Sequence, residues 1–338
     1  MTDASAPNIV CANPVCRVAE TGKCVEGMDL DKCPHYGRSP QPSMPEPKES
    51  VDGIRLAPGG TLNIGEAEVL LRAGETRVIA VIGPSDAGKT SLIAGFYDLF
   101  QEGAVAGVEF AGSQSLHEFE HVCHDARAAS RRGTPHINRT PRGEVRFYHL
   151  DVAGDGDDAL LSLVLADRAG EEYRGAIDDV SFVEGFPEVR RADTLTLLVD
   201  GERLLDPGAR HNLRSEVTLI LRAMIEGGAI QSGMRLAVVL TKKDLIYQSP
   251  RLEGTEADFA DLVATIERQC EGVFSAVRPF RVAASPKTDA VRRGEGIDEL
   301  LTFWLEPAPT VPTVIEPAPL PDRVFARLSP LDEAEERP

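Results

Sequence analysis

Glycine, lysine and threonine at fixed spacing make the first chemical statement in this chain. Gly83 is followed after four residues by Gly88, Lys89 and Thr90, and the run Arg77-Val78-Ile79-Ala80-Val81-Ile82 leads straight into it. Glycines let consecutive backbone N–H groups turn toward one anion, and a helix starting after Gly88 adds the positive end of its dipole. Lys89 has the reach for a β- or γ-phosphate and Thr90 the hydroxyl for a Mg²⁺ ion, with Gly83, Asp86, Ala87, Gly88 and Ser91 completing the cradle. The loop needs a buried strand before it and a helix after it. Residues 78–82 and the amphipathic stretch 91–100 supply them. The reading is a nucleotide phosphate loop; a plain Gly-rich turn would leave Lys89 and Thr90 unexplained.

Two later stretches address the base. After the apolar run 236–240 comes Thr241-Lys242-Lys243-Asp244, similar to the N/T-K-x-D guanine-reading motif. A carboxylate at Asp244 accepts from both N1–H and the exocyclic N2–H of guanine; adenine offers neither. Lys242 would lie along the base plane. After residues 280–284 comes Ala284-Ser285-Pro286-Lys287, in the place of an S-A-K loop. Pro286 has no N–H to give the guanine O6, so Ala284, Ser285 or Lys287 must serve.

With the phosphate loop, these stretches resemble the Ras-like, translation-factor-related (TRAFAC) GTPase class over about residues 75–306. A looser likeness to the bacterial double-GTPase branch of conflict systems rests on Phe110-Ala111-Gly112-Ser113 and the helix at 119–123. The resemblance implies a P-loop NTPase fold of the α/β type, doubly wound, with a mostly parallel sheet and one antiparallel strand. It implies a Mg²⁺-dependent molecular switch that binds GTP and GDP and hydrolyses GTP, in a bacterial regulatory or conflict/defence setting. It also implies a D-x-x-G switch, for which there are two candidates: Asp151-Val152-Ala153-Gly154 and Asp167-Arg168-Ala169-Gly170-Glu171-Glu172-Tyr173. Asp167 ends the second arm of a hairpin and is preferred as the residue behind Mg²⁺, with Gly170 and Glu171 at the γ-phosphate. Thr140 is preferred over Thr134 as the switch threonine. Arg131, Arg132 or Arg139 could act as a finger or simply as solvated loop charge.

Departures from the family pattern bear on activity. Glu171 stands where many members carry the glutamine that orients water; a glutamate there could act as a base, or could repel the γ-phosphate and slow turnover. Thr241 replaces asparagine. Asp86 sits where potassium-dependent relatives carry asparagine, although a surface turn residue is the simpler reading. Two rival readings remain: a nucleotide-dependent binding module with little hydrolysis, and an ATPase of another P-loop class.

The elements that must hold these groups follow from periodicity. Strands are expected at residues 145–152, 159–166, 195–199, 236–240 and 280–284, separated by helices, with an antiparallel hairpin turning at 154–158. Asn63-Ile64-Gly65-Glu66 has the form of a capping box. Helices are expected at 116–129 and 297–305. The expected order is a cysteine-rich knuckle at 1–39, a linker at 40–60, a GTPase domain at 61–306 and a Pro-rich tail at 307–338. Cys11, Cys16, Cys24 and Cys33 could hold a structural Zn²⁺, stay as thiols in a flexible arm, or serve redox chemistry. The net charge of −18 argues against a nucleic-acid partner. No apolar run approaches the roughly 20 residues of a membrane helix, and the first ten residues lack a secretory pattern. A cytoplasmic location is expected, with an unidentified protein effector met through the cysteine-rich arm or the tail.

Overall fold

The computed structural model describes residues 11, 16, 18–24, 27–33, 36–37, 59–126, 140, 142–154, 160–231, 233–287 and 291–307. The chain divides into two units, Met1–Arg55 and Leu56–Pro338.

In the first unit a single helical turn, α1 (Val18–Thr21), precedes two backbone turns. The carbonyl of Cys24 accepts from Gly27 N–H at 3.1 Å and that of Cys33 from Tyr36 N–H at 3.3 Å. Cys11 pairs antiparallel with Tyr36. Cys11, Cys16, Cys24 and Cys33 are half-buried and in no disulfide. Among the described residues no group of three or more His, Cys, Asp or Glu stands close enough to hold a metal ion, so the expected Zn²⁺ knuckle finds no support.

The second unit begins with α2 (Ile64–Ala73). Its capping box forms as expected: Asn63 Oδ1 accepts from Glu66 N–H at 3.0 Å, and Glu66 Oε2 accepts from Asn63 N–H at 2.9 Å. Then come β1 (Thr76–Ile82), α3 (Lys89–Phe100), β2 (Val108–Gly112), α4 (Leu116–Ala126), β3 (Arg146–Gly154) and β4 (Leu160–Asp167). After them run α5 (Gly170–Asp178), a 3-10 turn (Val180–Gly185), α6 (Pro187–Arg191), β5 (Thr194–Val199), α7 (Gly201–Leu205) and α8 (Arg210–Glu226). The chain continues with β6 (Arg235–Leu240), α9 (Lys243–Tyr247), α10 (Leu252–Gln269), β7 (Ala276–Arg281) and α11 (Ile297–Leu305).

Among the described residues the strands form one sheet in the order β2-β3-β4-β1-β5-β6-β7. Only β3 runs against its neighbours. β5 and β6 are buried along their whole length, as central parallel strands must be when helices cover both faces. On one face Leu92, Phe96, Phe119 and Trp304 pack from α3, α4 and α11; on the other Tyr173, Ile220, Phe259 and Ile266 pack from α5, α8 and α10. A smaller cluster of Leu62, Leu70, Phe147 and Val164 seats α2. This is a doubly wound P-loop NTPase sheet, and the ends of β1, β4, β5 and β6 lie on one edge, the edge at which open α/β sheets generally bind ligands.

Two elements differ from expectation. β7 lies at Ala276–Arg281 rather than at 280–284. It is an edge strand carrying Arg278, Pro279 and Arg281. The apolar run Val282-Ala283-Ala284 is buried in the connection that follows. β2 was not anticipated: it is five residues long and alternates in exposure along the edge of β3. α4 is described as far as Ala126; residues 127–139, including the last three of the expected helix, Thr134 and three candidate finger arginines, and the tail beyond 307 lie outside the described residues.

Candidate functional site

The phosphate loop is shaped by glycines where no other residue fits. Gly83 (φ 151°) would bring a Cβ to 3.1 Å from the Leu198 side chain and carbonyl, and Gly88 (φ 91°) caps α3 in the left-handed region. Asp86 holds φ 62° at the exposed tip, a conformation that aspartate tolerates better than most residues. Ala87 is fully buried, and Ser91 lies in the first turn of α3.

Lys89 points back into the loop. Its Nζ donates to the carbonyls of Pro84 (3.1 Å) and Gly83 (3.3 Å), and the residue is 7% exposed. Burial lowers its pKa, against the pull of Asp167, Glu171 and Asp86. Next to it, Thr90 Oγ1 donates to Asp167 Oδ2 at 2.7 Å, Thr140 Oγ1 donates to the same oxygen at 3.0 Å, and the two hydroxyls are 3.3 Å apart. Residues from α3, from the segment before β3 and from the end of β4 thus meet at one carboxylate. Asp167 is 1% exposed, and its other oxygen, Oδ1, is buried and has no hydrogen-bond partner among the described residues. Burial raises its pKa, although Lys89 and both hydroxyls oppose the shift. An unsatisfied carboxylate oxygen beside two hydroxyls is an all-oxygen donor set, which suits a hard divalent cation such as Mg²⁺.

Gly170 closes this corner. A Cβ there would lie 2.5 Å from Ser85 N and 2.6 Å from Pro84 C, so only glycine lets the D-x-x-G backbone abut the phosphate loop. Glu171 follows at the start of α5, half-buried, with Arg142 at 4.0 Å.

The base-reading stretches meet at the ends of β6 and β7. Thr241 Oγ1 donates to Ala87 O at 2.9 Å, tying the end of β6 to the phosphate loop; the hydroxyl makes this tie where the family pattern has asparagine. Lys242 takes the left-handed conformation (φ 55°) and donates to Asp200 Oδ2 at 2.9 Å and Glu202 Oε2 at 3.0 Å. Burial pulls its pKa down, but the two carboxylates outweigh burial and the net shift is upward. Asp244 is 3% exposed and its Oδ2 accepts from Lys287 N–H at 2.9 Å. That bond occupies the Lys287 amide, on the loop that also carries Ala284 and Ser285.

Several residues of this region escaped the sequence reading. Asp200 caps α7 by accepting from Glu202 N–H at 2.9 Å while it holds Lys242. Its position at the end of a central parallel strand was the signal that could have found it. Arg168 and Glu188 form a buried ion pair inside the switch, with no local signature.

Among solved structures, the chain is similar to the signal recognition particle receptor SRb-GTP/SRX complex from Chaetomium thermophilum. Identity is 15%, the TM-score is 0.40, and the match covers 68% of this chain and 97% of that one. Among curated proteins none matches. The family comparison spans nearly the whole sheet, from the second residue of β1 to the end of α11. With residues 77–305 matched by the model described as Double-GTPase 2, the chain belongs to that family.

Proposed function

We propose that this chain is a Mg²⁺-dependent GTPase switch of the translation-factor-related class. The carrying observation is the meeting of Thr90, Thr140 and Asp167 at one buried carboxylate beside Lys89, with Asp167 Oδ1 left without a partner among the described residues. Lys89 would exchange its loop carbonyls for β- and γ-phosphate oxygens. The loop amides from Asp86 to Ser91 would hold the β-phosphate. Thr90, Thr140 and Asp167 would hold Mg²⁺, directly or through water, and the ion when bound neutralises phosphate charge. Asp244 would read guanine N1–H and N2–H, Lys242 would line the base, and Ala284 or Ser285 would meet O6. Gly170 would face the γ-phosphate. Loss of that phosphate would release the Thr140 and Gly170 segments, which is the switching step.

One observation favours a second reading, a binding module that hardly hydrolyses. Glu171 directly follows Gly170, whose backbone abuts the phosphate loop, and its charge pulls upward on the Lys89 pKa that burial lowers, so its carboxylate would stand near the entering γ-phosphate. Slow turnover follows from that repulsion. A bacterial regulatory or conflict-system role is a proposal drawn from the family resemblance, and a cytoplasmic location is a separate proposal. Docking of an effector through the cysteine-rich arm at 1–39 or the Pro-rich tail is a further proposal. No helix among the described residues is long and apolar enough to cross a membrane.

One experiment tests the core of this reading: titration with GTP, GDP and ATP, with and without Mg²⁺, followed by measurement of released phosphate. Mg²⁺-enhanced preference for GTP with phosphate release is expected. Equal affinity for ATP removes the guanine assignment, and tight GTP binding without release selects the binding module.

A further inference from the structure

The D-x-x-G segment carries an ion network that the phosphate and base contacts do not use. Arg168 sits within it, and its side chain is only 6% exposed. Its guanidinium grips Glu188 on α6 through Nε–Oε1 (2.6 Å) and Nη2–Oε2 (3.1 Å), and Nη2 also donates to Gly185 O at 3.1 Å. It lies over the Phe186 ring, 4.9 Å from the centroid. Burial would lower its pKa, but Glu188 and Glu172 outweigh burial, so Arg168 stays charged. The arginine is thereby fixed to the body of the domain.

Its remaining arm reaches the switch. Nη1 donates to Glu172 Oε2 at 2.6 Å, and Glu172 Oε1 accepts from Gly143 N–H at 2.8 Å. Gly143 lies three residues after Thr140, and Glu172 lies two after Gly170. One carboxylate therefore ties the segment that brings Thr140 to Asp167 to the segment that presses Gly170 against Pro84 and Ser85. Both ends of the tie are charge-assisted and the assembly is anchored through Arg168.

We infer that Glu172, held by Arg168, is a positioning residue that locks the Thr140 and Gly170 segments together in the geometry that receives a γ-phosphate. The inference rests on the GTPase reading above. It separates from a purely structural role because GDP has no γ-phosphate. A strut between the two segments matters for GTP and not for GDP, whereas a prop for the fold matters for both. Glu172 is the residue to change, since Arg168 keeps Glu188 when Glu172 is lost and no buried charge is stranded.

The test compares Glu172→Ala and Glu172→Gln with the parent, in the full chain. It reads affinity for GDP and for a non-hydrolysable GTP analogue with Mg²⁺, phosphate release, and melting temperature. In Glu172→Ala, analogue affinity and phosphate release should both fall about tenfold. GDP affinity should stay at the parent value, while the melting temperature falls modestly with the two lost hydrogen bonds. Glu172→Gln should fall between the two, because its amide oxygen keeps one of the two contacts. Equal weakening for GDP and the analogue, or no weakening for either, overturns the strut while leaving the GTPase reading in place. A parent that binds neither nucleotide takes the GTPase reading down and the strut with it.

Discussion

Two sequences of the form Asp-x-x-Gly lie on the two arms of one hairpin, and their surroundings are opposite. Asp151, on β3, faces Ser162 across the ladder; Ser162 Oγ donates to its Oδ1, and His149 Nε2 lies 3.1 Å from the same oxygen. Asp167, at the end of β4, is more deeply buried, shares one oxygen between two threonine hydroxyls and leaves the other without a partner among the described residues. Strand direction is the cause. β3 runs against the rest of the sheet, so Asp151 and Gly154 lie toward the far end of the hairpin. Arg146, at the start of β3, sits opposite Asp167. Only the end of β4 opens beside the phosphate loop. A four-residue pattern thus says little until the sheet gives it a direction.

The strongest way to break this contrast is to remove the cation already beside Asp167. Lys89→Ala should weaken nucleotide binding about a thousandfold, since the phosphate charges lose their positioned ammonium. Calorimetric titration reads this directly, and unchanged GTP affinity would end the phosphate-loop assignment. Next in size is the pair of aspartates. Asp167→Ala should cut Mg²⁺-dependent phosphate release about a hundredfold. Asp151→Ala should leave release unchanged and cost about 1–3 kcal/mol of stability, because His149 and Ser162 lose their acceptor. A larger loss of turnover in Asp151→Ala than in Asp167→Ala would reverse the two roles. A third buried carboxylate extends the comparison. Asp244 has one oxygen held by Lys287 N–H, so it is oriented rather than orphaned. Asp244→Asn should weaken GTP about tenfold and improve xanthosine triphosphate, whose C2 oxygen can accept from the new amide. A competition assay in which GTP weakens and xanthosine triphosphate does not improve would assign Asp244 a structural role.

Contiguity decided what the sequence could show. The phosphate loop, the capping box at Asn63 and the apolar strands β5 and β6 each announce themselves within a few residues. The meeting of Thr90, Thr140 and Asp167 was also within reach, because a buried arm ending in an aspartate fixes which end of the hairpin faces the loop. β2 was not, since Val108 to Gly112 is short, half-exposed and irregular in its pairing with β3. β7 was misplaced because Val282, Ala283 and Ala284 are buried by the packing of their connection, whereas the ladder lies along residues with Pro279 and two arginines. Pairs such as Lys287 N–H with Asp244, or Arg168 with Glu188, join positions that only the tertiary fold brings together. No local periodicity encodes them.

The smallest expected effect is a pH slope, and it again sets the two arms of the hairpin against each other. His149 is 1% exposed, its Nδ1 accepts from Gln114 N–H at 3.0 Å, and its Nε2–H therefore points to Asp151. A proton on Nδ1 would break the Gln114 bond. Burial holds the imidazole pKa below its ordinary 6.5, and Asp151 pulls the other way without prevailing. Above 6.5 the ring is neutral in both folded and unfolded chains, and its contribution to stability is intact. As pH falls through 6.5 the unfolded chain takes up a proton that the folded chain resists, so stability drops until the folded pKa is passed. Asp167 behaves in the opposite sense. Its pKa is raised by burial, so its ionised form is penalised at high pH and the penalty is relieved as pH falls through that raised value. The parent curve mixes both contributions, and the difference between parent and His149→Gln isolates the histidine. Between about pH 7.5 and about pH 5.5 the melting temperature of the parent should fall more steeply than that of the variant. Parallel curves would mean that His149 is protonated as easily in the fold as outside it, and that the Asp151 corner is less closed than its hydrogen bonds imply.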